Sequence, residues 1–525
     1  MRLLKEHFHL MEDQVPSAKS LVQKRRALYV DSTGAGKTAV VLYSFAYLLS
    51  KGSVDALLVI TPPNAHEKEV WRSQIKELTY MTCISFDEVK KKKAAGVSLE
   101  RILRDYRIVY FKNTHFKNDY ELATAVVKYY KQPLAVVDEV HFARTGNNTT
   151  AACLEVAIRN IPHWGITATD LSRSCMDIYH IVDFLWPKKL GSQWKFKNEF
   201  CNLKEVVIGR NPDHTLKKIK EVVGFKDGGA LRDALSDMLV VGTRPVSAHI
   251  HEVRYDVSPE TAELYYKISR GLTADVGTTD EDWIQQVLGG ASVSKNVRSM
   301  KDIERHASRY IYLQSVVDGT LNPDGTFGCN PCEKSRELIK LCTELAAKGL
   351  SALIYCDYYT SIDTVREQLE KARIRGPRGQ EVQIMETSAR KKQKAGFVSK
   401  EKVAAAPHFI LVSRAASESE NFPFINNVIY YNIPTTPVTY MQFLGRITRR
   451  NTMFPDDLHA WLLLADNIDL YKLKIIGMKL HLMQATTYDL SGSFPAEYMA
   501  PEGSAAEMLA LAKKHLLWDG FKAAK

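Results

Sequence analysis

Short apolar runs alternate with longer amphipathic segments along the first half of the chain. The apolar runs are RALYV, DALLVIT, RIVYF, LAVVDE and HWGIT, and the helical segment AVVLYSFAYLLSK follows the first of them. Runs with so little polar alternation are typical of strands that are buried on both faces, as in a parallel sheet covered by helices. The pattern therefore predicts an α/β fold.

A second series of the same kind begins near Ala352, with the runs SALIYC, VQIME, HFILVS, NVIYYNI and AWLLLA. The repetition predicts two α/β units rather than one. Between the two series, Gly- and Asp-containing pieces alternate with helical ones, which favours an insertion and linker. We predict an N-terminal lobe over residues 1–250 with a helical insertion at about 171–245, a helical insertion or linker over 251–328, a C-terminal lobe over 329–480 and a helical extension over 481–525.

Composition places the chain among ordinary globular proteins. Of its 525 residues, 45% are hydrophobic and 25% are charged, which excludes a disordered, collagenous or coiled-coil class. The 71 Lys and Arg residues exceed the 60 Asp and Glu residues, so the net charge is +11. Such an excess favours a polyanionic partner, although charge spread evenly would serve only solubility.

Nothing in the sequence predicts a membrane span or a secretion signal. The longest strongly apolar stretch, Ala39 to Leu49, is interrupted by polar residues and is shorter than the roughly 20 residues that cross a bilayer. The first residues mix charges of both signs where a signal peptide would be apolar. Eight scattered cysteines favour reduced thiols over a disulfide framework, so we expect a cytoplasmic protein.

A phosphate-binding loop is predicted between the first strand and the first helix. The strand RALYV continues directly into Asp31-Ser32-Thr33-Gly34-Ala35-Gly36-Lys37-Thr38. Glycines at such positions let backbone N–H groups approach phosphate oxygens, the lysine reaches the β- and γ-phosphates, and the threonine hydroxyl ligates Mg²⁺. The general pattern G-x-x-x-x-G-K-[ST] is missed at one point, because Asp31 stands in place of the first glycine.

Adjacent carboxylates follow the run LAVVDE, where Asp138 and Glu139 come at the carboxyl end of a predicted strand. Ligands in parallel sheets bind at that edge. A magnesium nucleotide needs one carboxylate to hold the metal and another to orient and deprotonate the attacking water. We therefore predict ATP and Mg²⁺ as cofactors, with Asp138 holding the ion and Glu139 acting as the base. An acidic strand end without function is the alternative.

These motifs resemble those of superfamily-two helicase-type motors, and more closely those of the Swi/Snf-like group of DNA-dependent ATPases. The segment DSTGAGKT resembles that group's Asp-Glu-Met-Gly-Leu-Gly-Lys-Thr loop, which accounts for the absent glycine. LLVITPPNAHEKEVWRSQI resembles the next motif, DEVH the DEAH box, and Thr167-Ala168-Thr169 the Ser-Ala-Thr motif. The resemblance implies two tandem RecA-like P-loop lobes with parallel sheets and helical insertions. It also implies that His141, Thr167 and Thr169 couple hydrolysis to movement.

The second half carries matching motifs. LVSRAASESENF resembles the family's Leu-Ser-Thr-Arg-Ala-Gly-Gly-Leu-Gly-Ile-Asn-Leu, with Ala and Ser in place of its glycines. The segment from Tyr440 to Arg449 resembles the Gln-x-x-Gly-Arg-x-x-Arg motif, which implies that Arg446 and Arg449 neutralise charge on the γ-phosphate and that Gln442 takes part in coupling. Upstream, Gln14 matches the family's adenine-recognising glutamine, whose amide offers both a donor and an acceptor.

Candidate nucleic-acid contacts follow the strands of both halves. Phosphate contacts alone suffice for tracking along nucleic acid, so these positions need no sequence specificity. Each of them alone also fits solvated surface, and Trp164 and Trp194 are expected to pack in the core rather than stack on bases. The candidates are Asn64, Lys112, Asn113, Thr387, Ser388, Arg390, Ser413 and Arg414.

The sequence as a whole predicts an ATP-dependent motor that translocates on double-stranded DNA. The resemblance implies duplex DNA as the partner, and the few accessory segments favour a compact, monomeric bacterial or phage-like motor. An RNA-directed DExH helicase remains an alternative, because DEVH also occurs in that group. An alternative of another class is a nucleic-acid-binding scaffold that has kept the fold without hydrolysing ATP.

Overall fold

The computed structural model describes residues 3–67, 69–146, 148–168, 175–210, 216–242, 247–274, 313–322, 327–388, 398–414, 422–449, 451–484, 490, 492–499, 511 and 514–516. The chain forms two compact units. The first comprises Met1–Asn202, Gly224–Pro245 and Leu482–Leu490. The second comprises Leu203–Val223, Val246–His481 and Ser491–Lys525.

A sheet of seven strands forms the centre of the first unit, and all of its pairings are parallel. Its first six strands are β1 Arg26–Val30, β2 Ala56–Thr61, β3 Cys83–Ser85, β4 Ile108–Lys112, β5 Pro133–Asp138 and β6 His163–Thr167. Two further strands, β7 Cys201–Arg210 and β8 Leu216–Phe225, form a separate sheet that belongs mostly to the second unit, and β9 Leu239–Val241 completes the large sheet. The order across the large sheet is β3-β4-β2-β5-β6-β1-β9.

Helices connect these strands. They are α1 Val15–Leu21, α2 Lys37–Ser50, α3 Pro63–Glu67, α4 Val70–Leu78, α5 Phe86–Ala94, α6 Leu99–Leu103, α7 His115–Asn118, α8 Tyr120–Tyr129, α9 Thr149–Ile158, α10 Met176–Leu185, α11 Gln193–Phe200 and α12 Gly228–Ala234, with 3₁₀ helices at Glu12–Gln14 and Val140–Arg144. Every residue of β2 is buried, as expected for a strand covered on both faces. Side chains of α2, including Val41 and Phe45, share one core with the sheet.

The second unit contains a parallel sheet of six strands in the order β10-β15-β14-β11-β13-β12. The strands are β10 His249–Arg254, β11 Ala352–Cys356, β12 Gln383–Thr387, β13 His408–Ser413, β14 Asn427–Tyr430 and β15 His459–Leu464. Its helices are α13 Pro259–Ala274, α14 Glu333–Ala347, α15 Tyr359–Ala372, α16 Lys400–Ala405, α17 Pro437–Leu444 and α18 Ile468–Met483, with a 3₁₀ helix at Ala496–Tyr498. The predicted pair of α/β units with parallel sheets and helical insertions is therefore confirmed.

Several local features differ from the sequence predictions. The segment predicted as a helical insertion at about 171–245 contains the strands β7, β8 and β9 beside its helices, since β-branched residues in CNLKEVVIGR and LKKIKEVVGF favour strands. Strand β10 begins before the boundary predicted at residue 250 and belongs to the second sheet, where it pairs with β15. Trp164 is buried as predicted, but the prediction for Trp194 is wrong, because 75% of its surface is exposed.

The C-terminal extension lies mostly outside the described residues. Leu511 and residues 514–516 are described as helical, and Leu516 packs in a small core with Tyr265, Leu313 and Tyr471. Within the described parts of the chain, no helix combines the length and the apolar character that a membrane crossing requires.

Candidate functional site

The loop after β1 has the conformation that a phosphate cradle needs. Gly34 and Gly36 both have a φ angle of 78°, in the left-handed region that favours glycine. Helix α2 begins immediately afterwards, at Lys37. The Lys37 ammonium group donates hydrogen bonds to the backbone carbonyls of Asp31 and Ser32, at 2.9 Å each. The loop therefore turns sharply at its glycines and holds the lysine at the start of the helix, beside the positive end of the helix dipole.

Gln14 touches this loop directly. Its side-chain nitrogen donates to the carbonyl oxygen of Ala35 at 2.9 Å, and its side-chain oxygen accepts from the backbone N–H of Met11 at 3.1 Å. The side chain is buried. Gln14 thus joins the segment before α1 to the phosphate loop, and its role in adenine recognition stays a prediction. Thr38 lies in the first turn of α2, one residue beyond Lys37.

Asp138 ends β5 and is held at both carboxylate oxygens. One oxygen accepts from the indole N–H of Trp71 at 2.8 Å, and the other accepts from the backbone N–H of Glu139 at 3.0 Å. Burial of the carboxyl group and repulsion from Glu139 raise the pKa of Asp138 to about 6, while the Trp71 hydrogen bond and attraction from Lys37 oppose the rise. Strands β1 and β5 both pair in parallel with β6, so the loop that follows β1 and the carboxylates at the end of β5 lie at the same edge of the sheet.

Glu139 adopts a backbone conformation that is unusual for a residue with a side chain. Its φ is 51° and its ψ is 49°, in the left-handed region, which costs a non-glycine residue of the order of 1 kcal/mol or more. Nδ1 of His141 lies 3.1 Å from Oε2 of Glu139 and 3.2 Å from the hydroxyl oxygen of Thr167, which is the last residue of β6. The structure therefore brings Glu139, His141 and Thr167 together, whereas Thr169 lies outside the described residues.

The residues proposed as metal ligands fit Mg²⁺ by their chemistry. The Thr38 hydroxyl and the Asp138 carboxylate supply oxygen donors only, and Mg²⁺ prefers oxygen ligands and retains several waters. Asp138 carries a negative charge above its raised pKa of about 6, so it is available to a cation at neutral pH.

The nucleic-acid candidates of the first unit differ in exposure. Asn64 lies in the short helix α3. Lys112 ends β4, and its ammonium group lies 3.4 Å from Asp87 Oδ2 and 3.9 Å from Glu67 Oε1. Asn113 is buried, with 9% of its surface exposed, and its side-chain oxygen has no hydrogen-bond partner among the described residues. That orphaned acceptor marks a polar position that a bound group could satisfy.

In the second unit, most of the candidate hydroxyl groups are buried. Thr387 and Ser413 end their strands with 3% and 4% of their surfaces exposed, and the hydroxyl of Ser388 donates to Glu386 at 2.6 Å. Arg414 is exposed, and Arg390 lies outside the described residues. Contacts of these residues with nucleic acid stay predictions.

The two arginines of the second unit lie just beyond α17, whose sequence includes the partly buried Gln442. Arg446 is buried, with 3% of its surface exposed. The guanidinium Nε of Arg449 donates to the carbonyl of Gly445 at 3.1 Å, and burial lowers the pKa of Arg449 to about 10. That value leaves Arg449 positively charged at neutral pH, as the neutralisation of a phosphate requires.

Two known protein domain families match this chain, one in each half. Residues 14–236 match the SNF2-related domain, and residues 333–451 match the helicase conserved C-terminal domain. The chain is a superfamily-two, Swi/Snf-like ATPase. As a helicase-type enzyme of this family, it is an ATP hydrolase, and the predicted nucleic-acid motor is confirmed at this level.

Individual relatives of this Swi/Snf-like ATPase are distant. The uncharacterized ATP-dependent helicase YqhH of Bacillus subtilis is 18% identical over 494 residues, which cover 92% of this chain and 80% of that protein. Among solved structures, the Sulfolobus solfataricus SWI2/SNF2 ATPase core in complex with dsDNA has a TM-score of 0.38 at 16% identity, over 95% of this chain and 98% of that one. The Pyrococcus furiosus Hef helicase domain has a TM-score of 0.48 at 12% identity, over 90% and 98%.

One residue of the ATPase site was missed as a site residue in the sequence analysis. Trp71 is almost fully buried and gives its indole hydrogen bond to Asp138, although 67 residues separate the two in the chain. Its place in the motif after β2 marks it in the sequence, but the bond itself depends on how α4 packs beside β5. Trp71 therefore joins Lys37, Asp138 and Glu139 in the set that defines the site.

Proposed function

We propose that this Swi/Snf-like ATPase couples ATP hydrolysis to movement along duplex DNA. The observation that carries the proposal is the meeting of Lys37, Asp138 and Glu139 at the carboxyl edge of one parallel sheet. This site lies within an SNF2-related domain, and the chain also carries a helicase C-terminal domain. The same edge is where ligands bind in sheets of this kind.

Nucleotide binding follows from the loop geometry. Backbone N–H groups of Gly34 and Gly36 approach phosphate oxygens at the positive end of α2, whereas the N–H of Ala35 donates to the carbonyl of Ser32 at 3.2 Å and shapes the loop. The Lys37 ammonium group exchanges its contacts with the carbonyls of Asp31 and Ser32 for the β- and γ-phosphates. The loop therefore holds the lysine in place before the nucleotide arrives, which reduces the ordering cost of binding.

Hydrolysis requires a base beside the γ-phosphate. Glu139 orients a water molecule and accepts its proton, and Asp138 with Thr38 holds Mg²⁺. When bound, Mg²⁺ neutralises negative charge on the phosphate oxygens. Trp71 fixes the Asp138 carboxylate through its indole hydrogen bond, so that carboxylate does not swing away when its neighbour Glu139 moves. We infer that Arg446 and Arg449 neutralise charge on the γ-phosphate, as their motif implies.

Coupling to movement involves the imidazole of His141. The same ring nitrogen lies close to both the carboxylate of Glu139 and the hydroxyl of Thr167, and its role as donor or acceptor in each contact depends on the tautomer. A change at the γ-phosphate that moves Glu139 therefore alters the contact of His141 with the end of β6. We infer that this exchange, together with Thr169 and Gln442, transmits hydrolysis to the rest of the chain.

Duplex DNA is the substrate that the family assignment and the net charge of +11 favour. We infer that the backbone contacts are made by the candidates following the strands of each unit. These are Asn64, Lys112, Asn113, Thr387, Ser388, Arg390, Ser413 and Arg414. The scattered positions of the cysteines favour reduced thiols and an intracellular location.

Stimulation of ATP hydrolysis tests the proposal. Rates are measured with no nucleic acid, with duplex DNA, with single-stranded DNA and with RNA of matched length, and a triplex-displacement assay detects translocation. We expect duplex DNA to stimulate hydrolysis most and to support displacement of the third strand. Stimulation by RNA alone would favour the DExH helicase, and DNA binding without any hydrolysis would favour the scaffold.

A further inference from the structure

The residue that replaces the first glycine of the phosphate loop has its own anchor. The Asp31 side chain has 2% of its surface exposed. One carboxylate oxygen accepts from the hydroxyl of Tyr29 at 2.7 Å, and the other accepts from the backbone N–H of Ser32 at 2.7 Å. A buried carboxylate with charge-assisted hydrogen bonds on both oxygens holds its position strongly. Asp31 is therefore a fixed point at the start of the loop.

Gly242 lies against this carboxylate from the neighbouring strand. It follows β9 directly, and its backbone N–H donates to the carbonyl of Val30 at 2.8 Å. A Cβ atom on Gly242 would come within 2.0 Å of Asp31 Cγ and within 2.2 and 2.4 Å of the two carboxylate oxygens. Real Cβ atoms do not approach other atoms so closely. Any side chain at position 242 must therefore displace either the carboxylate or the end of β9.

The need for glycine at this position is steric rather than conformational. Gly242 is absent from the described residues with positive φ, so its backbone is open to alanine. The edge strand is fixed by its pairing with β1, where Val241 lies opposite Val30. Because this pairing holds the strand, a methyl group at position 242 would displace the Asp31 carboxylate and strain the hydrogen bonds from Tyr29 and Ser32 that fix it when residue 242 is glycine.

Movement of Asp31 reaches the phosphate-binding lysine. The backbone carbonyls of Asp31 and Ser32 are the oxygens that hold the Lys37 ammonium group, at 2.9 Å each. The side chain and the carbonyl of Asp31 thus connect the Gly242 contact to the Lys37 contact through a single residue. Asp31 stands where the general loop pattern has a glycine, and the glycine at position 242 leaves room for its carboxylate.

We propose that Gly242 is a positioning residue for the nucleotide phosphates, which acts by leaving space for the Asp31 carboxylate that fixes the loop. The inference rests on the proposed function, since it assigns Gly242 to the same ATP site. Asp31 and Gly242 together perform the task that the usual first glycine performs alone.

A double-mutant cycle in the full-length protein tests this pairing. The variants are Gly242→Ala, Asp31→Gly and their combination, and the readouts are the Kd of a fluorescent ATP analogue with Mg²⁺, the KM for ATP, and the melting temperature. Gly242→Ala alone is expected to weaken nucleotide binding by about tenfold, within the range of coupling between residues in contact. In the Asp31→Gly background, the same substitution is expected to change the Kd by less than about twofold, because the obstructing carboxylate is gone.

Matched variants separate this pairing from general damage. Gly165→Ala places a methyl group 2.9 Å from Leu185 Cδ1 in the same sheet, but away from Asp31. Its effect should be the same whether residue 31 is Asp or Gly. Asp31→Asn keeps the shape of the side chain, so Gly242→Ala should remain harmful beside it. Asp31→Ala also removes the carboxyl group. It takes the place of Asp31→Gly in the cycle if the Asp31→Gly protein does not fold.

The outcomes are distinct. Native affinity in Gly242→Ala, or an equal loss of affinity with and without the Asp31 carboxylate, would overturn the proposal. If the wild-type protein bound no ATP, the proposed function would fail instead. In that case the melting temperatures would still test the pairing of Asp31 with Gly242. The fall in melting temperature caused by Gly242→Ala must be smaller when residue 31 is glycine.

Discussion

The charged groups at the carboxyl edges of the two sheets differ both in burial and in pairing. At the first sheet, Asp138 and Glu139 are neighbouring carboxylates, the pKa of Asp138 is raised to about 6, and Glu139 holds a left-handed backbone. At the second sheet, Lys334, Asp318 and Asp469 are completely buried but form a network in which each charge meets an opposite charge. In the first arrangement like charges lie side by side, as the proposed binding of Mg²⁺ and phosphates requires, whereas in the second the ammonium group of Lys334 contacts both carboxylates.

The second arrangement, which we name the Lys334 network, comprises Lys334 and Asp318, which precede β11, and Ser361, Asn432 and Asp469, which follow β11, β14 and β15. The Lys334 ammonium group donates to Asp469 at 2.8 Å and to Asp318 at 3.2 Å. Ser361 and Asn432 donate to the other oxygen of Asp318, at 2.6 and 2.7 Å. Burial alone would lower the pKa of Lys334, but attraction from Asp469 and Asp318 outweighs burial and raises this pKa.

The comparison shows that burial of charge at a strand edge does not by itself mark an active site. Charges whose hydrogen bonds and ion pairs are complete stabilise one arrangement of the chain, and removal of one partner leaves the others unpaired at high cost. Charges held beside a like charge are instead ready to bind a ligand. Substitutions in the first set should therefore change catalysis, and substitutions in the second should change folding.

The largest effect is expected from Lys37→Ala. The loss of the phosphate-binding ammonium group should reduce ATP hydrolysis by at least about 100-fold, as for other electrostatic donors at a reacting phosphate. Steady-state ATPase assays measure this, and the melting temperature should change little. Lys51→Ala at the other end of α2 is the matched control, since the Lys51 ammonium group lies over the exposed ring of Tyr47. Unchanged hydrolysis in Lys37→Ala would remove Lys37 from the site.

Glu139→Gln should separate binding from hydrolysis. Glutamine keeps a polar contact to water but cannot accept its proton, so kcat should fall by about 100-fold or more while the Kd for ATP stays within a few-fold of the wild type. Equilibrium binding and single-turnover hydrolysis measure the two quantities. Glu121→Gln, on the exposed start of α8, is the control. An equal loss of binding and turnover would contradict the role of Glu139 as the base.

Lys334→Met tests whether the Lys334 network of the second sheet serves stability. It leaves Asp318 and Asp469 buried without their cation, so the free energy of unfolding should fall by about 3–5 kcal/mol. Urea denaturation measures the loss, and the KM for ATP of the remaining folded protein should not change. Lys340→Met on the same helix, where the Lys340 side chain is 68% exposed, should cost less than about 0.5 kcal/mol. A small cost for Lys334→Met would show that the network is not structural.

Local sequence patterns predicted the sheets, and they marked the residues of the proposed ATP site. The apolar runs gave the central strands because strands covered on both faces need continuous hydrophobic sequence, as β2 shows. The loop around Lys37 and the carboxylates after β5 were visible because phosphate chemistry demands fixed residues at fixed spacing.

Features that depend on long-range packing could not be predicted in this way. Strand β10 pairs with β15 about two hundred residues later, and its residues are only partly buried, so no apolar run marks it. The Lys334 network joins residues from five separate segments, and each of them alone looks like ordinary polar surface. The clash that requires glycine at position 242 exists only once β9 lies beside β1.

The smallest expected effect concerns the pH dependence of the ATP site. Burial and Glu139 raise the pKa of Asp138 to about 6, so protonation should remove the charge that Mg²⁺ needs as the pH falls through that value. The kcat/KM for ATP should therefore drop below about pH 6, about tenfold per pH unit, and more Mg²⁺ should shift the midpoint to lower pH. Activity that is constant between pH 5 and 7 would contradict this assignment.

Trp71→Phe sharpens the same test. It removes the indole hydrogen bond that favours the charged carboxylate, so the midpoint should move to higher pH by about one unit, in line with a hydrogen bond to a charged group. Trp164→Phe is the matched control. The buried Trp164 indole donates at 3.0 Å to the backbone carbonyl of Lys24, which is not a carboxylate. If both variants gave the same midpoint, Trp71 would contribute to packing alone. The raised pKa of Asp138 would then depend on burial and on Glu139, but not on the Trp71 hydrogen bond.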